Sequence, residues 1–225
     1  LKHISILTGA GISAESGVKT FRDHDGLWEG HDVMQVATPQ AFEKNPGFVL
    51  DFYNKRRQQL LTVQPNLAHQ RLVDLETQFN VDIITQNVDD LHERAGSSRV
   101  THLHGELMKV RSTFDQGLIY DWKDDLNLGD FCEHHHQLRP HVVWFGEAVP
   151  MIEKAIDILK QTDVLIIIGT SMQVYPAAGL IDFAPSSTPI YFIDPNPNIS
   201  DSTGVHLYAE KATTGVDKLV RKLLA

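Results

Sequence analysis

The stretch Ile4-Ser5-Ile6-Leu7-Thr8-Gly9-Ala10-Gly11-Ile12-Ser13-Ala14-Glu15-Ser16-Gly17 decides the fold. A β-branched apolar run breaks into Gly-x-Gly and then into small residues, the pattern of a buried strand ending in a tight turn. Glycines there let the backbone approach an anion, whose charge then rests on the free N–H groups of a following helix. Gly9, Ala10, Gly11, Ser13 and Ser16 are therefore candidates to hold a pyrophosphate. The common dinucleotide pattern places an Asp or Glu at the end of a second strand about twenty residues on. This chain departs from it: Val18-Lys19-Thr20-Phe21-Arg22-Asp23-His24-Asp25-Gly26-Leu27-Trp28 has no strand alternation and reads as a long loop. Long loops inside compact domains are usually binding loops or lids. Phe21, Arg22 and Trp28 join the candidate site on that ground, and a hydride-transfer reading is weakened.

Working outward, Ile4–Thr8, Val81–Thr85, Val100–His104, Val142–Phe145, Val164–Gly169 and Pro189–Ile193 read as buried parallel strands, short and rich in Val and Ile. Helical patterns lie between and after them at Asn66–Phe79, Met151–Gln161 and Val216–Leu224. The alternation predicts an α/β fold: a Rossmann-like parallel sheet with helices on both faces and ligands at the carboxyl ends of its strands. Two stretches break it. Arg22–Val63 reads as a loop followed by a helix from Pro46, and Arg111–Pro140 is polar, rich in Asp and His. Both look like insertions that together build a small lobe beside a cleft, so the expectation is a single domain over residues 1–225. Its small lobe is drawn from about 22–63 and 111–140.

The 225 residues carry 29 acidic and 20 basic side chains, a net charge of −9, which argues against nucleic acid as a partner. The longest apolar run, Val164–Ile168, is far too short to span a bilayer. A single cysteine, Cys132, excludes an internal disulfide and fits a reducing compartment, so a cytoplasmic location is expected. Cys132 stands in a run with His134, His135 and His136, but a closed zinc site needs two spaced pairs of ligands. The region near Arg111-Ser112-Thr113-Phe114 offers neither Cys nor His, so no metal is expected.

Chemistry-bearing residues gather at predicted strand ends. After the second strand, Gln86-Asn87-Val88-Asp89 places Asn and Asp two apart, able to pair with a carboxamide; the same residues could simply turn the chain and cap a helix. The third strand ends in His102-Leu103-His104-Gly105. His104 is preferred over His102 as a general base because it is read as the strand's last residue. Gly169-Thr170-Ser171 follows the most apolar strand, where backbone groups can meet a phosphate or ribose. Asp194, with Asn196 just beyond, could be the ribose carboxylate absent from its usual place, and would favour NAD over NADP by repelling a 2′-phosphate. Tyr53 and Arg56 share one face of the predicted Pro46 helix and could grip a carboxylate, or simply be a half-buried Tyr beside a solvated Arg.

Read together, Gly9-Ala10-Gly11-Ile12-Ser13, Ser16-Gly17, Phe21-Arg22, Gly26-Leu27-Trp28, Thr85-Gln86-Asn87-Val88-Asp89, His104-Gly105-Glu106, Val143-Trp144-Phe145-Gly146-Glu147 and Gly169-Thr170-Ser171 resemble the sirtuin family of NAD-dependent protein-lysine deacylases, its bacterial CobB-type members above all. The resemblance runs over essentially the whole chain. It implies that NAD is consumed: the acyl oxygen of an acyl-lysine attacks the ribose carbon bearing nicotinamide, and the products are free lysine, nicotinamide and O-acyl-ADP-ribose. It makes His104 the base, with Asn87 and Asp89 in the nicotinamide pocket, Phe21 shielding the reactive face, Arg22 ordering the loop and Ala212 at the adenine. A substrate peptide adds as a strand between Trp144–Glu147 and Gln173–Tyr175, touching Val143, Trp144, Phe145, Gly146, Glu147 and Val174. It also marks Tyr53, Arg56 and the small Ala37 as the acyl pocket of members acting on succinyl and malonyl groups. The implied partners are acyl-lysine proteins or peptides, with no membrane or nucleic acid, and the chain is taken as a monomer.

The chain departs from the family pattern in three places. Val18-Lys19-Thr20 replaces the commoner Ile-Pro-Asp, Asp194 stands where most members have Asn, and the lobe's metal cysteines are largely gone, Ser112 occupying one position. The lobe is then expected to hold itself by apolar packing through Leu118, Ile119, Tyr120 and Trp122. A mono-ADP-ribosyltransferase or NAD glycohydrolase on the same scaffold, or a non-catalytic NAD-binding module, stands as the alternative.

Overall fold

The Ile/Val runs form one sheet, and the alternation along each decides which layer it meets. In a computed structural model, residues 1–19, 27–28, 30–172, 175–197 and 204–225 are described. In chain order the elements are β1 (His3–Thr8), β2 (Leu27–Trp28), β3 (His31–Asp32), α1 (Val33–Val36), α2 (Pro39–Lys44), α3 (Pro46–Thr62), α4 (Leu67–Leu75), β4 (Asn80–Thr85), α5 (Leu91–Ala95), β5 (Val100–His102), β6 (Gly105–Ser112), β7 (Ile119–Asp121), β8 (Leu138–Val142), α6 (Ile152–Leu159), β9 (Val164–Ile168), β10 (Ile190–Ile193), β11 (Val205–Tyr208) and α7 (Ala212–Leu224).

Six strands make the parallel sheet in the order β11-β10-β9-β1-β4-β5. Ile6 of β1 stands between Ile83 and Ile166 of its two neighbours. Ile4, Ile6, Ile83, Ile166, Ile168 and Ile193 pack on one face with α4 and α7. Their sequence neighbours Leu7, Ile84, Leu165, Ile167 and Phe192 pack on the other with α6 and the 3-10 segment Ala177–Phe183. Covering both faces is what an all-parallel sheet requires. From β1 the chain runs outward to β4 and β5, then returns to fill the other side with β9, β10 and β11. The connections that leave β1 and β9 therefore lead to opposite sides of the sheet, and this switch in strand order is where such sheets open a ligand crevice.

Two of the predicted strands are corrected. Val142–Phe145 is no parallel strand: β8 is Leu138–Val142, and it lies antiparallel to β6 in a three-stranded sheet ordered β7-β6-β8. Val100–His104 ends two residues sooner, at His102. The last strand of the parallel sheet, β11, was not anticipated, and α1 and α2 precede the helix expected from Pro46. Those two helices and α3 are capped by Asp32, Thr38 and Asn45, whose side chains accept from the Met34, Ala41 and Phe48 N–H groups. α1 to α3 share an apolar cluster with β6 and β8 that includes Val36, Val49, Phe52, Tyr53, Leu107, Val142 and Trp144.

Beyond it, Leu50, Val110, Leu126, Cys132 and Leu138 form a second small cluster, with Leu118, Tyr120 and Trp122 against it. Ile119 does not take part; it alternates outward and is 42% exposed. No helix among the described residues is long and apolar enough to cross a membrane.

Candidate active site

The crevice at the strand-order switch is closed by backbone, not by side chains. Gly9 N–H donates to Ile168 O at 3.0 Å and Gly11 N–H to Gly169 O at 2.8 Å. A Cβ on Gly11 would stand 2.5 Å from Gly169 Cα, and one on Gly169 would stand 2.5 Å from Ile12 N. Gly169 also holds φ at +61°, in the region that favours glycine. So the glycines are needed first for the β1 and β9 loops to touch each other.

The helix expected after the glycines is replaced by two 3-10 turns, Ala10–Ile12 and Ala14–Ser16. The N–H groups of Ile12 and Ser13 are spent on Gly9 O and Ala10 O, so they are not offered to an anion as those of a helix N-terminus would be. Glu15 instead crosses to α7, where its carboxylate accepts from Thr213 N–H at 3.0 Å and from the Thr213 hydroxyl. Ser16 Oγ accepts from Asn66 Nδ2, as does Ile12 O. Ala212 is the first residue of α7 and is buried.

Beneath this loop lies a buried polar network. Asn87 Nδ2 donates to Gly9 O (3.1 Å) and Ser13 Oγ (3.3 Å), and Ser13 Oγ donates to Asp89 Oδ2 (2.9 Å). Asp89 Oδ1 also accepts from Leu91 N–H, so this residue both turns the chain into α5 and meets Ser13. Burial pushes the Asp89 carboxyl up, a rise moderated by the Ser13 and Leu91 bonds. His69 of α4 stands 3.5 Å from Ser13 Oγ through Nε2, and burial lowers its pKa to about 4, so it is neutral at physiological pH. Sequence reasoning missed His69, although the Asn66-x-x-His69 spacing of its capping box was visible.

His104 sits in the turn between β5 and β6, not on a strand. Gly105, at φ +82° and with His141 O 2.1 Å from where a Cβ would lie, makes that turn possible. The ring is half-buried, and its Nδ1 lies 3.0 Å from Gln86 O. A carbonyl can only accept, so Nδ1 carries the proton and Nε2 is left as the basic atom. Burial lowers the His104 pKa, and the Gln86 bond partly offsets this. His102, by contrast, points to Asn87 O and the Glu93 carboxylate. Gln86 Nε2 reaches Thr170 Oγ1 at 3.0 Å, tying the β4 and β9 strand ends together. Ser171 is half-buried beside it. Asp194 is 2% exposed, and its Oδ1 accepts from the Asn196 N–H.

On the other wall, Tyr53 is fully buried and its hydroxyl accepts the Trp144 indole N–H at 2.9 Å. Burial raises its pKa, so the phenol keeps its proton, which has no acceptor among the described residues. Trp28 packs edge-on to Phe52 and Tyr53. Arg56, one turn on, is half-buried with its guanidinium 4.4 Å from the Phe52 ring. Buried Ala37 offers its carbonyl to Phe145 N–H at 2.9 Å, and Val88 packs on the same cluster. Val143 N–H donates to His104 O.

The Val143–Glu147 segment is anchored from below. Glu147 accepts from Arg139 (2.6 and 3.0 Å), Arg111 (3.3 Å) and the Trp144 N–H (2.8 Å), while Arg139 lies 3.4 Å over the Trp144 ring. Burial alone would raise the Glu147 pKa, but these partners hold it below its usual value. Phe145 and Gly146 are exposed. Phe21, Arg22 and Val174 lie outside the described residues, as does Gln173.

In the small lobe, Cys132 Sγ lies 3.3 Å from Ser112 Oγ, which also accepts from the Phe114 and Asp115 N–H groups. His134, His135 and His136 are exposed, and no group of three or more potential metal ligands occurs among the described residues.

Against known proteins, residues 9–176 match the profile of the Sir2 family. A protein of Helicobacter pylori named NAD-dependent protein deacylase is 58% identical over 225 residues, covering 100% of this chain and 98% of its own. One of the same name from Bacteroides thetaiotaomicron is 48% identical, covering 100% of this chain and 99% of its own. Among solved structures, a Sir2 homologue in complex with NAD superposes with a TM-score of 0.88 at 39% identity, over 99% of this chain and 90% of that one.

Proposed function

The chain belongs to the Sir2 family, the sirtuins, and on that premise we propose that it is an NAD-dependent protein-lysine deacylase that removes acetyl and acidic acyl groups. One observation carries the reading: a half-buried histidine, whose Nε2 has no hydrogen-bond partner among the described residues, is tied through Gln86 O to the same short segment that bears Asn87 and Asp89. Gly9, Gly11 and Gly169 let the two loops interlock at the switch in strand order, and Ser13, Thr170 and Ser171 on those loops would meet the phosphates and ribose of NAD. When bound, NAD supplies the ribose carbon whose bond to nicotinamide breaks, and acyl-lysine plus NAD and water give lysine, nicotinamide and O-acyl-ADP-ribose.

Asn87 and Asp89 hold the carboxamide, and His104 Nε2 takes the proton of a ribose hydroxyl so that its oxygen can attack the acyl carbon. The Trp144–Glu147 strand, braced by Arg139 and Arg111, receives the peptide backbone. Tyr53, with a proton to give, and Arg56 grip a succinyl or malonyl carboxylate, and Ala37 leaves it room. Phe21, Arg22 and Val174 keep the roles that the resemblance implies. We take the enzyme to act as a monomer in the cytoplasm on acyl-lysine proteins, with its small lobe held by packing.

Mass spectrometry of acetyl- and succinyl-lysine peptides with and without NAD tests this. His104→Ala should lower both rates by roughly 10²–10⁴. In the wild type, the acid limb of activity, where His104 gains a proton, should lie on the acid side of the ordinary imidazole value. Nicotinamide release that needs no acyl-lysine would instead make the chain an NAD glycohydrolase.

A further inference from the structure

Three successive carbonyls of the segment after β4 are each held by the β5–β6 connection. Gln86 O faces His104 Nδ1 at 3.0 Å, Asn87 O faces His102 Nδ1 at 2.9 Å, and Val88 O accepts from Leu107 N–H at 2.8 Å. The first and third of these need nothing unusual. The second does, because the other nitrogen of His102 lies 2.8 Å from Glu93 Oε1. A carbonyl and a carboxylate are both acceptors, so the two bonds can exist together only if both ring nitrogens carry protons.

We propose that His102 is a positioning residue for the reaction, an imidazolium clamped between Glu93 and the Asn87 carbonyl that holds the Asn87–Asp89 segment in register with the nicotinamide. This rests on the function proposed above. The surroundings support the charge. From α5 come Glu93 and His92; burial keeps His92 neutral. From the loop comes Asp89, whose carboxyl feels the His102 charge. From β6 come Glu106 and Lys109, paired with each other at 2.9 Å. Burial by itself would lower the His102 pKa, but the Glu93 bond and charge, the Asn87 carbonyl and Glu106 outweigh it and set it above the ordinary value.

A raised imidazole keeps its charge to higher pH than an ordinary one and loses its proton as pH rises through the raised value. There it can donate from one nitrogen alone, and Asn87 O competes with a carboxylate for that proton. NAD affinity should therefore decline at alkaline pH, while His104 sets the opposite, acid limb of the rate. A merely structural histidine would produce no such limb.

The experiment tracks the ring and the segment by NMR of the full chain, then NAD affinity by calorimetry across pH. Both His102 nitrogens should be protonated at pH 7, the Asn87–Asp89 amides should shift with the midpoint of the ring, and NAD affinity should fall about tenfold through it. Glu93→Gln, a substitution at a half-exposed site on α5, should move all three midpoints to lower pH together. His102→Gln should abolish the alkaline limb and leave the acid limb. A bare ring nitrogen at pH 7, or amides that ignore the ring, overturns the proposal even without NAD. An alkaline limb of NAD affinity that is the same in Glu93→Gln and wild type overturns it as well. A wild-type chain that shows the coupled ring and amides but binds no NAD sinks the functional reading and leaves the clamp standing.

Discussion

The two walls of the crevice are built by different means. On the cofactor side, the parallel sheet places its loops through backbone register: β1 and β9 pair residue by residue, and Gly9, Gly11 and Gly169 meet with no side chain between them. On the acyl side, the small lobe is stitched by polar side chains that reach across the chain. Asn54 of α3 exchanges two bonds with Leu126, through its Nδ2 to the carbonyl and its Oδ1 from the N–H. Arg57, almost wholly buried, donates to Leu107 O and to Asn54 Oδ1. Glu147 gathers Arg111 and Arg139. Backbone register tolerates no added atom but few of its residues are individually expensive; a side-chain lattice tolerates volume but not the loss of a charge. The helix that carries Tyr53 and Arg56 also carries Asn54 and Arg57, so the acyl grip proposed for the first pair would rest on the second kind of order.

The largest expected effect breaks that contrast at the lobe. Glu147→Gln leaves Arg111 and Arg139 buried at 5% and 8% exposure without their carboxylate. Removing one partner of such a group should cost about 3–5 kcal/mol in urea unfolding. Because the folded Glu147 carboxyl is depressed, its contribution is present above the ordinary Glu pKa and is lost as pH falls below it, so variant and wild type should converge in acid. A loss under about 1 kcal/mol would mean that apolar packing, not the ion group, holds the peptide strand. Next comes the core. Gly11→Ala pushes a methyl to 2.5 Å from Gly169 Cα, and relief by moving one loop should cost about 3 kcal/mol. NAD affinity should fall with it, whereas Glu147→Gln should spare NAD affinity and raise KM for the peptide.

The same contrast explains what could be read from the residues. Runs such as Ile4–Thr8 and Val164–Ile168 announce buried parallel strands, because apolar identity and position coincide there. Val142–Phe145 misleads for the same reason: four apolar residues mark a strand end and a turn, while the strand itself holds Arg139, Pro140 and His141. Arg139 is strand-like only because Glu147 and the Trp144 ring cover it, and both contacts are tertiary. At the candidate site, the residues at strand ends were legible, but their partners were not. The residues alone favour His104 over His102 as the strand's last residue, but the strand ends at His102 and Gly105 places His104 in the turn between β5 and β6. The glycines were legible as a close approach, though the thing approached is first the Gly169 loop.

A smaller effect sharpens the lobe further. Asn54→Ala removes the two Leu126 bonds and the nearer of the two acceptors of Arg57 Nη1. The cost expected is about 1–3 kcal/mol, because buried partners are left unmet. Burial lowers the Arg57 pKa to about 10, an effect that the nearby Asp125 charge opposes. If α3 transmits the disturbance, desuccinylation should suffer more than deacetylation, since Arg56 makes its proposed contact only with an acidic acyl group. Equal losses would mean that the 124–126 loop and the acyl pocket are independent.

The smallest effect is expected where a metal would matter most. Ser112 Oγ, within 3.3 Å of Cys132 Sγ, accepts from two backbone N–H groups, so the turn after β6 is closed by a hydroxyl where thiolates could have gathered around an ion. Leu50, Val110, Leu126 and Leu138 pack around the thiol. Apolar contacts of this kind do not depend on a bound ion, whereas a structural zinc site contributes folding energy outright. Dialysis against a strong chelator should therefore leave the Tm and both deacylation rates unchanged, and Cys132→Ser should behave like wild type toward chelator. A chelator-induced fall in Tm would show that the lobe is ordered by an ion after all, and the side-chain lattice on α3 would then be the lesser of its supports.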